Sequence, residues 1–391
     1  KDAGIPIRNI FLRITLENPT PMPFPNVLDD IVNQYESTGT IPLRVFNSTA
    51  ANSVTDPSQP YIMQWSLSLQ REILSDTAVT ATYAGSRGVK LSRTADVNVP
   101  PGILLSDGRR FFDSKTPEGT VRPNPTFAGI TDRRWDGGSW YNGLKLGLRK
   151  RFSSGFQYQI SYNWQKFMDE GSAIRTTGGD FSNASTFATD WRDHKLDRGL
   201  SAYHVAHTFS SNFTLELPFG PGQRYGSGTS GVAAKLIEGW QINGIVSLSS
   251  GQALGINGDG GVTCRLCAGR GAASRPDLIP GKDNSPNTGD PNRWFGAVTD
   301  NFQQQQPGFY GTLGRNTAEA PGLATFDLAL NKGFVLGERA DLQFRAEFFN
   351  LLNRANFGAP SLATFSRGRA SGSFGRITRT ISTSRQIQFA L

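Results

Sequence analysis

Apolar and polar residues alternate one for one in many separate stretches of this chain. Phe156, Tyr158, Ile160, Tyr162 and Trp164 are separated by Gln157, Gln159, Ser161 and Asn163, and Gln165 follows. Side chains change face at every step along a strand, so this stretch has one apolar and one polar face. A helix would scatter the same residues around its circumference. The pattern recurs in Trp65, Leu67 and Leu69 against Gln64, Ser66, Ser68 and Gln70, and in Leu144, Leu146 and Leu148 against Lys145, Gly147 and Arg149. Further on, Phe213, Leu215 and Leu217 alternate with Asn212, Thr214 and Glu216. Trp240, Ile242, Val246 and Leu248 alternate with Gln241, Asn243, Ser247 and Ser249. Phe326, Leu328 and Leu330 alternate with Asp327, and Leu342, Phe344 and Phe348 with Gln343, Arg345 and Glu347. Ile387, Phe389 and Leu391 close the chain against Gln386 and Gln388. Nine strands are expected from Tyr61 onward, these eight stretches among them. A tenth is expected near Ile7–Leu16, ahead of a loop carrying Pro19, Pro21, Pro23 and Pro25.

The expected connections fall into two kinds. Short turns are predicted at 74–77, 153–155 and 333–339, with a medium one around 220–231. Between them lie long polar stretches at about 88–138, 168–203, 252–322 and 353–372. Compact soluble domains seldom contain structureless loops of that length. Short turns at one end and long loops at the other are the habit of membrane β-barrels, with the short turns on the periplasmic side and the long loops outside. The fold class expected is therefore all-β, an antiparallel transmembrane β-barrel. About ten strands lie in this chain, with residues 1–60 giving the first strand and its proline-rich loop and residues 61–391 giving the hairpins.

Composition supports this reading. The 391 residues include 44 Gly and 26 Phe but only 37% hydrophobic residues, a thin supply for a filled soluble core. Mean hydropathy is −0.36, and no apolar run is long enough for a membrane-spanning helix. A barrel tolerates both values because only every second strand residue faces lipid. The net charge of +8 is dispersed, without a helix-turn-helix, zinc-finger or RNP pattern, so nucleic acid is not expected as a partner. Lys1–Pro6 has no charged and apolar signal-peptide order, and the chain is read as the tail of a longer one.

Several motifs then resemble the Oar-like TonB-dependent outer-membrane receptors. They are Gln64–Glu72 followed by Ala81–Gly88, Glu216–Gly220, Gly239–Gly244 with Ser250-Gly251, Gly314–Asn316, and Arg345–Asn353 with Ala355–Gly358. The resemblance runs from about Tyr61 to the end and rests on the motifs occurring in order. It implies a barrel of about 22 strands enclosing an amino-terminal plug, of which this chain is the carboxy-terminal part. It also implies partnership with outer-membrane lipid, with the missing plug and barrel half, and with the inner-membrane TonB complex. No plug or TonB box is visible. Gln386–Leu391 looks like the final strand cut short of the terminal aromatic usual in such barrels.

Candidate chemistry is sparse, and no cofactor is expected. Cys264 and Cys267 are the only cysteines. In an oxidising compartment a local disulfide is the leading reading, since a metal would need two further ligands. Asp193-His194 invites comparison with outer-membrane proteases that use an Asp–His pair, but neighbouring strand residues point to opposite faces, and a solvated loop pair is preferred. Asp169, Glu170, Asp180, Asp190, Asp193 and Asp197 cluster in one loop together with Arg175, Arg192, Lys195 and Arg198. Their spacing matches no EF-hand, and solvated ion pairs are preferred to calcium. Lys145, Arg149, Glu216, Asp327, Arg345 and Glu347 fall on polar strand faces and are expected to line the lumen, where they would border a substrate path, clamp a plug or pack structurally. Tyr61, Trp65, Trp140, Tyr141, Trp164 and Trp240 fall near strand ends, as girdle residues or as ordinary strand aromatics.

Three classes of function follow: a transport barrel without enzymatic activity, an outer-membrane structural or interaction protein with partner-binding loops, and a surface enzyme. The first is the leading reading. One expectation needs only the sequence. Thiol labelling of the intact, non-reduced protein should leave Cys264 and Cys267 unmodified, and two reactive thiols would exclude the pairing.

Overall fold

Hydrogen-bond pairing between neighbouring strands organises the chain. The computed structural model describes residues 9–11, 37, 49–54, 58–113, 122–124, 129–177, 180–185, 187–259, 274–335 and 341–391. Nine principal strands form one antiparallel sheet in chain order. They are β1 (Tyr61–Leu74), β2 (Thr77–Asp96), β3 (Gly129–Ser153), β4 (Phe156–Asp169), β5 (His207–Glu216), β6 (Trp240–Ser249), β7 (Leu323–Val335), β8 (Asp341–Phe349) and β9 (Gln386–Ala390). No helix among the described residues is long and apolar enough to cross a membrane.

The register carries the alternation from strand to strand. One transverse row joins Leu69, Ala81, Leu146, Tyr162, Phe209, Leu248 and Ala324. The neighbouring row joins Gln70, Thr80, Gly147, Ser161, Ser210, Ser247 and Thr325. Rows of like character therefore stack into an apolar and a polar face, and a slip of one residue would exchange them. Phe156, Tyr158, Ile160 and Tyr162 share the apolar face with Leu146, while Gln157, Gln159 and Ser161 take the polar one. Apolar side chains remain well exposed, with Leu67 at 63% and Leu69 at 67%, as suits a surface whose solvent is hydrocarbon.

At one end the connections are tight. β1 and β2 are joined at 75–76 and β3 and β4 at 154–155, where Ser154 and Gly155 both adopt positive φ (51° and 76°). A hairpin turn of this kind needs that backbone region, and glycine enters it without steric penalty. Asp76 braces both turns, accepting from Lys150 and Ser153. Those two bonds hold its carboxyl well below the usual carboxylate range. The medium connection contains a short helix, α1 (Gly231–Ile237).

The other end departs from the sequence expectation. The loop expected at 88–138 is largely strand, because β2 runs to Asp96 and β3 starts at Gly129, with register shifts between Gly88 and Arg93. Beyond the apolar band a strand no longer needs a greasy face, so the period-two signal fades although the ladder continues. Arg93, Asp132, Arg134 and Asp136 populate this extension and pair among themselves.

The remaining long connections are folded rather than structureless. Leu254, Ile256, Phe295, Val298, Phe302 and Leu313 from the β6–β7 connection pack with Leu362, Phe374 and Ile377 from the β8–β9 connection. Phe374 sits between Phe295 and Phe302, with ring centroids 5.4 and 5.8 Å away. The thin hydrophobic supply thus serves two places, the lipid face and a filled core inside the loops.

Within the expected tenth strand, Asn9–Phe11 is described, and it pairs with Thr49–Ala51 rather than with β1. Thr49–Val54 in turn runs parallel to Gly129–Arg133. Among the described residues β1 pairs only with β2, so Tyr61–Leu74 has an open edge on that side, and Asn9–Phe11 pairs only with Thr49–Ala51. β9 forms the opposite edge, paired only with β8, and no ladder joins the two edges among the described residues.

Leu146 and Phe344 both stand on the apolar face. Replacing Leu146 with Arg should destabilise the folded barrel by roughly 2–4 kcal/mol, the penalty near the midplane, whereas Phe344→Arg should cost less because Phe344 pairs with Lys332 at the turn end. Denaturant titration in lipid vesicles is the measurement, and no loss for either variant would contradict this placement.

Candidate functional site

Register places all six candidate lumen residues on the polar face. Arg149 lies beside Ala78 and Gln159, and Lys145 beside Thr82 and Asn163. These two cations border a hollow of about 330 Å³ that Gln70, Thr80, Gln159 and Ser161 also line. On the other half of the sheet, Glu347 lies beside Ala329 and Gln388, and Arg345 contacts Glu347 at 3.5 Å. Asp327 accepts from the Asn350 backbone N–H at 2.7 Å, closing the end of β8. Glu216 pairs with Gln241 in register and is exposed. The six are thus spread along the polar face and do not meet in one constellation.

A ladder of small polar groups joins the strands between them. Gln157 Nε2 donates to Thr214 Oγ1 at 3.2 Å, and that hydroxyl donates to Asn243 Oδ1 at 2.8 Å. Asn243 Nδ2 donates to Gln241 Oε1 at 3.2 Å. Neighbouring polar side chains satisfy one another here, which ties the strands together on the polar face as well.

The denser site lies where the polar face meets the long loops. The acidic loop does form ion pairs, but its key carboxylates are buried rather than solvated. Asp169, Glu170, Asp190 and Asp197 are all 8% exposed or less. Several of their partners come from elsewhere in the chain. Arg315, from the β6–β7 connection, meets Asp169 Oδ1 at 2.6 Å and donates to the backbone carbonyls of Asp169, Ser172 and Asp197. Arg93 and Arg275 flank Asp197 at 3.8 and 4.0 Å. Glu170 meets Arg198 at 3.1 Å and His194 Nδ1 at 3.0 Å, and accepts from the Gly138 N–H at 2.9 Å. Asp190 meets Arg192 at 3.2 Å and Arg110 at 3.5 Å. A guanidinium presents its donors in a planar fork, so one Arg315 ties together three segments that share no strand.

Sequence reasoning missed Arg93, Arg110, Arg275 and Arg315, because a carboxylate cluster in one loop gives no sign of a cation from a distant part of the chain. Asn316 was the available signal. It follows Arg315 in the Gly314–Asn316 motif, holds positive φ (52°), and donates to the Leu200 carbonyl at 2.7 Å.

Asp193 and His194 do not act as a pair. Asp193 caps a short 3-10 turn by accepting from the Lys195 N–H, while His194 turns to Glu170. No group of His, Cys, Asp and Glu suited to a metal occurs among the described residues. Cys264 and Cys267 lie outside the described residues, and the side chains of Arg175 and Asp180 do likewise. His204 is buried beneath the network, and its Nδ1 accepts the Phe167 N–H at 3.3 Å. Burial, reinforced by Lys166, holds its imidazole below the ordinary value, in keeping with that acceptor role.

Below the ion pairs opens a cavity of about 500 Å³ lined by Ile62, Leu91, Arg93, Ser139, Phe167, Asp169, Glu170 and Tyr203 among others. Apolar and aromatic walls with a few fixed charges are the usual make-up of a small-molecule site. Tyr141 belongs to this polar side, donating to Gln165 Oε1 at 3.0 Å and meeting Phe167 edge-on. It is therefore not a lipid-facing girdle residue. Tyr61, Trp65, Trp140 and Trp164 stand on the apolar face at the loop end, and Trp240 on that face at the turn end.

A sheet with one lipid-compatible face and one polar face, with short turns at one end and folded loops at the other, defines an outer-membrane β-barrel. The sequence matches the outer membrane beta barrel domain family over residues 9–388, and the chain belongs to that family. Its place is the bacterial outer membrane. Among solved structures it is similar to the outer membrane transporter YddB from Escherichia coli, at 10% identity and a TM-score of 0.40, over 88% of this chain and 34% of that one. It is also similar to the FrpB iron transporter from Neisseria meningitidis, at 11% identity and a TM-score of 0.36, over 89% of this chain and 33% of that one. The siderophore receptor PiuA from Acinetobacter baumannii aligns at 11% identity and a TM-score of 0.18, over 84% of this chain and 55% of that one. The chain thus spans about a third of the first two structures. No curated protein matches the sequence.

Arg315→Ala should free the loop end. Removing one partner of a buried pair costs about 3–5 kcal/mol, because the other charge is left stranded. Hydrogen exchange of the full protein should then speed up across residues 187–204, with the β4–β5 ladder unaffected. Exchange unchanged in that loop would show that Arg315 does not hold it.

Proposed function

We propose that this chain is the carboxy-terminal part of an Oar-like TonB-dependent transport barrel for uptake of a ligand from outside the cell. The observation that supports this most is the position of the 500 Å³ cavity, which lies at the loop end of the polar face, between Ile62, Ser139 and Phe167 of the strands and Ser172 and Tyr203 of the β4–β5 connection. The loops then face the exterior, and the polar face with Lys145, Arg149, Glu216, Asp327, Arg345 and Glu347 faces the lumen. A ligand captured among the loops would pass downward along side chains that offer hydrogen bonds at each step. The open edges at β1 and β9 suit a larger barrel, since unpaired backbone groups are costly in hydrocarbon. In this reading the remaining strands and a plug lie outside residues 1–391, and energy arrives through the plug from the inner-membrane TonB complex.

A second reading has one observation in its favour. The loops carry a hydrophobic core of their own, which would give a non-transport outer-membrane protein a firm surface for a partner. Site-specific photo-crosslinking of the full-length protein in its native cells separates the two readings. The transport reading expects a crosslink from the periplasmic side to the TonB protein. A folded barrel with no such crosslink would overturn the transport reading in favour of the second.

A further inference from the structure

The apolar face carries charge of one sign only. Along the regular ladders of β1–β9, its described side chains include no Asp or Glu. The charged residues on it are basic and stand at its two ends. Arg71, Lys150 and Lys332 are at the turn end, and Arg87 and Lys166 at the loop end. The apolar band between them follows from the membrane. A charge near the midplane is strongly disfavoured, and the penalty fades toward the interfaces. That constraint explains why charge is confined to the ends but not why the sign is uniform.

The two lysines at the turn end are satisfied within the protein, whereas exposed Arg71 there, like the loop-end pair, meets no carboxylate among the described residues. At the turn end Lys150 is held by Asp76 and Ser153, and Lys332 is buried, donating to the Glu238 carbonyl. At the loop end Lys166 is exposed, and no carboxylate among the described residues meets it. Arg87 donates to the Ser139 carbonyl at 3.3 Å and lies 3.8 Å over the Trp140 ring, which Arg198 also meets at 4.3 Å, but whereas Arg198 is paired with Glu170 no carboxylate among the described residues meets Arg87. Strand spacing and rise put the Arg87 and Lys166 backbones roughly 12 Å apart, so two side chains of this length can converge on one group. The aromatic side chains around them are anchored. Tyr83 donates to Asn142 Oδ1 at 2.8 Å, and the Tyr162 hydroxyl meets His207 Nδ1 at 2.8 Å. Anchored aromatics at this level mark the membrane–water interface, where lipid headgroups lie.

We propose that Arg87 and Lys166, framed by Trp140 and Trp164, form a binding site for the phosphorylated headgroup of a lipid in the leaflet nearest the long loops. The missing counter-charge is then supplied by the membrane, as basic residues near an anionic leaflet allow. Anionic phosphate takes both a bidentate guanidinium and a point-charge ammonium, so the pair suits it better than a zwitterionic headgroup. The proposal concerns the lipid face alone and stands whether or not the barrel transports a ligand.

Native mass spectrometry of the full-length protein, released from detergent with either phosphatidic acid or phosphatidylcholine added, tests it. Wild type should retain phosphatidic acid several-fold better. The double variant Arg87→Gln with Lys166→Gln should fall to the phosphatidylcholine level, while Lys166→Arg keeps the preference. Arg71→Gln, at the opposite end, should also keep it. Circular dichroism and heat-modified gel mobility report folding. Should the double variant not fold, the exposed Lys166→Gln alone should show a partial loss. Equal retention of both lipids by wild type, or an unchanged preference in the folded variants, would overturn the site. Stripping of the lipid by excess inorganic phosphate would also overturn it, by revealing a site for a free anion.

Discussion

Hydrocarbon offers the backbone no hydrogen bonds, and this one deficit organises the molecule. Every peptide group within the membrane must find its partner in a neighbouring strand. The chain answers with ladders that join each strand from β1 to β9 to the next in sequence order. Once the ladder is fixed, side chains have only two directions available, and the rest follows. One direction is assigned to lipid, the other to polar groups that bond one another across strands, as Gln157, Thr214 and Asn243 do.

Where the lipid ends, the rule lapses and different physics takes over. The extension of β2 and β3 beyond Gly88 keeps its ladder but exchanges greasy side chains for Arg93, Asp132, Arg134 and Asp136. The loops beyond it are held by two devices that a strand pattern does not need. One is a filled apolar core shared between two connections. The other is a set of buried ion pairs centred on Asp169 and Asp197, with Arg315 bridging segments of different origin. Burying charge is expensive unless each group is paired and hydrogen-bonded. The bonds from Arg315 to several backbone carbonyls meet that condition.

The sequence made the membrane part legible because lipid imposes a strict period of two. Eight of the nine principal strands from Tyr61 onward were visible in that period, β2 being the exception, and so was the contrast between short turns and long connections. The loop end was opaque for the opposite reason. Leu254, Phe295 and Phe374 carry no periodic signature, and nothing near Asp169 announces that its partner is Arg315. Tyr141 shows the same limit on a small scale. It stands next to Trp140 near a strand end, yet one step along the strand turns it to the polar side, where it meets Gln165. The tenth strand was expected from a short apolar run alone, and Asn9–Phe11 pairs instead with Thr49–Ala51.

The shared loop core also has a bearing on how the molecule comes together. Leu254, Phe295 and Phe302 precede β7, whereas Leu362, Phe374 and Ile377 follow β8. Neither group can complete its packing alone, because each supplies only part of the apolar surface that the other covers. Chain connectivity therefore makes the final hairpin a keystone. Until the segment leading into β9 is in position, Phe295 and Phe302 lack the ring of Phe374 between them, and the loop end stays unfinished while the earlier strands can already be in place. Completion of the loop end is thereby coupled to the arrival of β9, and a sheet lacking that strand would present an unformed loop end.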